Sequence, residues 1–343
     1  MKSKKVKKEA PLLDFSPIIL LIFIFISASY GAFMDMGFSA RGGAMAGAYT
    51  TYKGRGDLVF YNPAGISGIE RQEISFFYAR PFAGLNNVDF GITSVCLAMP
   101  LYTKGVFAVA YSQFNAGDSK DKLYQEYMII GSLSYRLSRK FLVGFSLKNL
   151  THKFFIDDRS FSLGDETFDS STNASGNTFD FGLNWKLSGT LTFALSYQNF
   201  IKADVGIHDE DIVPSILRTG LEWRKGRIAI VYNCDIRAQK WGQKNTISYG
   251  FEWDISRVLS FRAGATDFEK DFGFGINTKI FGDEDLIIDY NYSIPSEISG
   301  ATTHRIALTL RRGEIRRART QIQQVPHEEE EYVPDEGEEI IIE

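Results

Sequence analysis

Residues 177–188 and 190–200 read as two strands meeting at Ser188, Gly189 and Thr190. Side chains alternate along a strand, so Phe179, Phe181, Leu183, Trp185 and Leu187 form one large apolar face. Asp180, Gly182, Asn184 and Lys186 form a small or polar one. In a water-soluble sheet the apolar face packs on a second layer, whereas in a transmembrane barrel it meets lipid and the polar face lines a lumen.

The amino terminus chooses between these solvents. Lys2, Lys4, Lys5, Lys7 and Lys8 precede an apolar run from Ile18 to Ile26, followed by the small residues Ser29 and Gly31. The run is too short to cross a bilayer as a helix, which takes about 20 apolar residues. It reads as a secretory signal peptide over residues 1–31. Its five lysines, Glu9 and Asp14 carry a net +3, so removal takes the chain from −4 to −7. So acidic a protein is a poor match for nucleic acid. Aromatic residues make up 14% of the chain, high for a soluble domain, and alternation conceals such content from any averaged hydropathy. Cys96 and Cys234 each fall within an expected strand and read as isolated small apolar residues.

Fourteen stretches of strand character follow, from 72–82 to 303–312. Numbered in order, the even-to-odd connections are short, as at Ser138-Arg139, Ser188-Gly189, Lys225-Gly226 and Ser256-Arg257. The odd-to-even connections include longer ones, expected at 116–122, 153–175, 201–211, 239–244 and 295–302. Outer-membrane barrels pair short periplasmic turns with longer external loops, and an even count leaves both termini periplasmic. The expectation is an all-β, antiparallel up-and-down transmembrane barrel of about 14 strands spanning 72–312, with outer-membrane lipid and lipopolysaccharide as its surroundings.

Ile228, Ile230, Tyr232 and Ile236 are expected to face lipid, as are Ile247, Tyr249, Phe251 and Trp253, and Phe272, Phe274 and Ile276. The lumen is expected to hold Lys148, Lys186, Arg218, Glu222, Arg224, Asp235, Glu252, Asp254, Arg262, Lys279, Asp289 and Arg305. Both signs are interspersed. That favours a salt-bridge lattice over the single-sign ring that selects ions. Strand two stays ambiguous, because Val95, Leu97 and Met99 alternate with Phe90, Ile92 and Cys96.

Before the first strand, residues 37–68 combine glycine and alanine with the apolar run Leu58 to Tyr61 and the turn Asn62-Pro63-Ala64-Gly65. Such a segment packs closely and must find partners for its backbone groups, which a polar lumen supplies. Gly42-Gly43-Ala44-Met45-Ala46-Gly47-Ala48-Tyr49, followed by Phe60-Tyr61-Asn62-Pro63-Ala64-Gly65-Ile66, resembles the amino-terminal signature of the FadL-type outer-membrane proteins. That superfamily includes fatty acid and aromatic hydrocarbon transporters and the PorV/PorQ-type proteins associated with type IX secretion. The resemblance implies a fourteen-stranded barrel with a luminal hatch at 32–71, gated by Asn62, Pro63, Ala64 and Gly65. It also implies passive uptake of small, fatty-acid-like hydrophobic molecules, with Phe60, Tyr61 and Ile66 as contacts for the solute. The alternative is a non-transporting secretion or assembly accessory of the PorV/PorQ type. Tyr52-Lys53-Gly54-Arg55-Gly56-Asp57 departs from the acidic, alanine-rich stretch common in the superfamily.

Beyond the last strand, residues 313–343 begin with Arg316, Arg317 and Arg319. They end in an acidic block of Glu328 to Glu331, Asp335, Glu336, Glu338, Glu339 and Glu343, with no Lys or Arg. This reads as a disordered tail, with docking to a periplasmic protein as its sharper interpretation. No enzymatic chemistry is visible. His152, His208, His304 and His327 lack metal-ligand spacing, and there is no nucleophile elbow or phosphate-binding loop, so neither metal nor cofactor is expected. Asp157-Asp158 and Asp209-Glu210-Asp211 lie in expected loops, where carboxylates are usually solvated.

Overall fold

The computed structural model describes residues 32–33, 37–101, 104–118, 121–155, 172–239, 242–280, 282 and 284–313. The expected signal peptide, the acidic tail beyond Gly313 and the Asp157-Asp158 pair lie outside these residues.

Fourteen antiparallel strands close into a barrel. They are β1 (Gln72–Ala83), β2 (Asp89–Leu101), β3 (Gly105–Gly117), β4 (Lys122–Arg136), β5 (Phe141–Phe154), β6 (Asn173–Lys186) and β7 (Leu191–Gln198). The second half comprises β8 (Ile216–Lys225), β9 (Ile228–Gln239), β10 (Gly242–Asp254), β11 (Leu259–Ala265), β12 (Glu269–Lys279), β13 (Asp285–Pro295) and β14 (Thr302–Arg312). Each strand pairs with its sequence neighbours, and β1 pairs with β14 from Gln72 opposite Arg312 onward. No strand edge is left open, the condition for spanning hydrocarbon with sheet.

The parity of the connections holds with two corrections, of which the first is that the expected long connection at 116–122 shrinks to residues 118–121, because β3 and β4 pair until Gly117 meets Lys122. All even-to-odd turns are short, and the long connections, 155–172 and 199–215, join odd to even strands. The expected long connection at 239–244 shrinks to residues 240–241, because β9 and β10 keep pairing until Gln239 meets Gly242. β7 ends at Gln198 rather than at residue 200 because Asn199 takes a left-handed φ of 55°. Asparagine tolerates that conformation, and here its amide donates to the Pro214 carbonyl at 2.7 Å.

Alternation decides the two faces as expected. Leu147, Phe181, Ile230, Tyr249, Phe272, Phe274 and Ile306 are exposed on the outer surface, while their neighbours in sequence are buried. The ambiguous strand resolves as well: in β2 Ile92, Cys96 and Ala98 point inward and are buried, and Leu97 points out. Both faces of β2 are apolar because the lumen beside it is apolar too. Phe77, Ala79, Ile92, Phe114 and Ala307 cluster there against Ala40 and Phe38.

The core lies inside the barrel and not between sheets. Residues 37–69 carry one helical turn, α1 (Ala40–Gly43), and two 3-10 turns, Gly56–Phe60 and Pro63–Gly68. Helix α1 packs on β12, β13 and β14, the first 3-10 turn on β1, β2 and β3, and the second on β3, β4, β5 and β6. The segment therefore bridges the lumen from wall to wall, and nearly all of it is buried.

Candidate functional site: a luminal segment tied to the wall

Asn62 caps the second 3-10 turn, accepting from the Ala64 N–H at 3.0 Å, with Pro63 at the first position of the turn. Its amide donates to the Thr50 carbonyl at 2.8 Å and to Asn184 Oδ1 at 2.6 Å. Asn184 on β6 answers by donating to the Thr51 carbonyl at 3.0 Å, and Gln198 on β7 donates to the Phe60 carbonyl at 2.8 Å. Backbone with no ladder of its own thus obtains its partners from lumen-facing amides, as burial requires.

Pro63 and Ala64 lie flat on the wall at Gly144 of β5 and Gly182 of β6, which face each other across the ladder. A Cβ on Gly144 would overlap the Pro63–Ala64 peptide, and one on Gly182 would overlap Asn62 Oδ1. These two positions must be glycine for the turn to seat. Ser134 on β4 completes the seat by donating to the Ala64 carbonyl at 3.1 Å.

On the opposite side the ties are ionic. Arg41 in α1 makes a two-pronged bond to Glu252 on β10, at 3.0 and 2.8 Å. Arg262 on β11 bridges Glu252 at 2.7 Å and Asp289 on β13 at 2.8 Å, and Arg55 reaches Asp289 at 2.6 Å. Arg224 on β8 joins Glu252 at 3.1 Å and Glu222 at 2.5 Å, while the Arg41 and Arg224 guanidinium groups lie over the Tyr52 ring. Nearer β1, the Gly56 N–H donates to Glu73 Oε1 at 2.6 Å, and Arg311 grips both Glu73 and the Gly54 carbonyl. Inside the segment, Asp57 accepts from the Ser39 hydroxyl and from Tyr49 at 3.2 Å. Burial pushes the Asp57 carboxyl up, against the opposing pull of the Arg55 guanidinium.

The twelve expected luminal charges divide by depth. Lys148, Arg218, Glu222, Glu252, Arg262, Asp289 and Arg305 are buried, Arg224 and Asp254 are half-buried, and Lys186 and Lys279 are exposed near the short-turn end. Lys148 pairs with Asp180 at 2.8 Å, Arg218 with the half-buried Asp235, and Arg305 reaches Asn291 and Ser293. Sequence reasoning missed Glu73 and Asp271, inward-facing carboxylates of β1 and β12, although alternation alone would have placed them, as it placed Asp180 on the polar face of β6. It also passed over Arg41, and noted Arg55 and Asp57 only as departures from a motif.

Of the expected solute contacts, Tyr61 and Ile66 are buried within the segment's own core. Phe60 stacks on Phe38 with 5.1 Å between ring centres, beside a space of about 30 Å³, enough for no more than a water or two. Much larger openings lie at the short-turn end, at about 670 and 440 Å³. At the long-loop end an aromatic row crosses the first five strands: Phe82, Phe90, Phe114, Tyr124 and Phe154, with successive ring centres 5.9, 6.0, 6.4 and 4.9 Å apart. Phe90, Phe114 and Tyr124 continue into the apolar luminal cluster around Phe77 and Phe38. Among the described residues no group of His, Cys, Asp and Glu is arranged to hold a metal ion.

The closed fourteen-stranded barrel is a fold that this chain shares with solved structures of channels and transporters. The solved structures similar to this chain include the Ralstonia pickettii toluene transporter TbuX (TM-score 0.58, 11% identity, covering 81% of this chain and 99% of that one). A TodX mutant described as a monoaromatic hydrocarbon channel aligns with TM-score 0.57, 11% identity and the same coverage. A Pseudomonas aeruginosa FadL homologue also aligns with TM-score 0.57 and 11% identity, over 82% of this chain and 99% of that one. At such identity the likeness is one of fold. No protein-family model and no curated protein matches the sequence.

Proposed function

We propose that this chain is an outer-membrane channel for passive uptake of small hydrophobic molecules, with the luminal segment as its gate and both chain termini periplasmic. The observation that carries the reading is the aromatic row at the long-loop mouth, continuous with the apolar wall of β1–β4. Aromatic faces at a water-filled mouth collect apolar solutes, because transfer onto them removes apolar surface from water. A solute collected there meets Phe38 and Phe60, and moves on when the turn at Asn62 to Gly65 shifts from its seat.

Uptake of a radiolabelled aromatic hydrocarbon by cells carrying the protein tests this. Phe114→Ala is expected to lower the uptake rate several-fold while leaving the amount of folded barrel unchanged. Asn62→Ala combined with Pro63→Ala loosens the turn and is expected to alter the rate in the same assay; unchanged uptake in both variants would refute the proposal.

The membrane setting has its own test. Leu147 stands outward in the middle of β5 and is 61% exposed. Leu147→Arg is expected to cost about 2–4 kcal/mol of folding free energy in lipid vesicles, the penalty for a cation near the bilayer midplane. In a water-exposed face the same change would be close to neutral.

A further inference from the structure

The short-turn mouth is strongly basic although the exported chain as a whole is acidic. The 670 Å³ cavity there is lined by Lys53, Arg136, Arg139, Lys140 and Lys186, together with Arg41 and Arg224 from the ion network. Its carboxylates are only Glu70 and Glu222, and Glu222 is taken up by Arg224. Among the described residues none of those first five cations makes an ion pair, and all five are exposed. The 440 Å³ cavity beside it shares Arg41 and Lys53 and adds Arg227 and Arg257 at the rim; its carboxylates are Asp254 and Asp289, the latter taken up by Arg55 and Arg262. Partial enclosure by the vestibule walls lowers the pKa of the Lys53 ammonium although its side chain stays open to solvent, and the nearby Lys186 charge pushes the same way. Crowded like charges of this kind are stabilised by an anion.

The sequence provides one. β14 ends at Arg312 on this same rim, opposite Gln72. From there the chain continues into residues 320–343, which hold nine carboxylates and no Lys or Arg. Fourteen residues lie between Gly313 and Glu328, a reach of up to about 50 Å when extended. A fourteen-stranded mouth is about 30 Å across, from the strand spacing and tilt. That length is enough for the acidic block to touch any part of the vestibule.

We propose that the basic vestibule is a docking site for the chain's own acidic tail, residues 328–339, which occupies the short-turn mouth by charge complementarity. The proposal stands on the vestibule and the tail and is independent of what the barrel transports.

Zero-length carbodiimide cross-linking of the full chain in detergent tests it, because the reagent joins an ammonium only to a carboxylate in contact with it. The expected result at low salt is intramolecular links from Lys53, Lys140 or Lys186 to residues 328–339. These links should fall several-fold in 1 M salt, where the screening length is about 3 Å. Full-length protein carrying Glu328→Gln, Glu329→Gln, Glu330→Gln and Glu331→Gln should lose the links at those positions. Three results would overturn the proposal: no links to the vestibule lysines, links only between two copies, or links equally frequent at Lys153, Lys202, Lys244 and Lys270 of the opposite rim.

Discussion

Gly144→Val and Gly182→Val are expected to turn a closed barrel into a conducting one. Each places a branched side chain where the Asn62–Ala64 turn lies against β5 and β6. Overpacking a close-fitting contact costs about 1–3 kcal/mol even when neighbours adjust. The wall cannot retreat, since both strands are held by ladders on either side. The turn is held by a few amide bonds and is the part that moves. In planar lipid bilayers the variants should pass steady ionic current where the parent chain is nearly silent, with the gel shift of a folded barrel preserved in both. Silent channels that keep the folded gel shift would mean that the turn does not obstruct the lumen.

Glu252→Gln is expected to cost more stability than any other single luminal change. Its carboxylate is fully buried and bonded by Arg41, Arg224 and Arg262. Removing one partner from a buried ionic cluster typically costs about 3–5 kcal/mol, because the charges left behind lose compensation. Urea unfolding of the refolded protein should show a clearly lower midpoint. Exposed Lys186→Gln should leave it nearly unchanged. Adding Arg41→Met to Glu252→Gln should restore part of the loss, since one stranded guanidinium is then gone and neighbouring changes do not add. A midpoint for Glu252→Gln within error of the parent would show that water reaches this cluster and solvates the arginines.

Alternation made the barrel legible, because a strand between lipid and a polar lumen must write its two solvents into every second residue. It was silent where those solvents cease to differ. In β2 both faces are apolar, and only the packing of Ile92 and Cys96 against the luminal segment shows which is inner. Inward direction was readable for Glu252, Arg262 and Asp289, but not their pairing, since a luminal side chain finds its partner across three-dimensional space. Arg41 and Arg55 were the least visible. Without periodicity, nothing in a glycine-rich stretch tells that these two cations will meet carboxylates more than two hundred residues away. The connection at 240–241 was overestimated because ladder pairing there outlasts the apolar alternation.

The position of residues 37–69 also bears on the order in which the molecule is made. They precede β1 in the chain, yet they are enclosed by a wall whose first and last strands meet each other. The Arg55–Asp289 pair spans 234 positions of sequence, and Arg311 bonds Gly54 across 257. Bringing such distant pieces together is the slow, entropically costly part of assembling a sheet of this size. A leading segment bonded to β10, β13 and β14 is placed to act as a template, since it ties an early part of the chain to the latest strands beside the β1–β14 seam. If the barrel is built around its own filling, a variant that loses these ties is expected to close slowly even when its finished wall is sound.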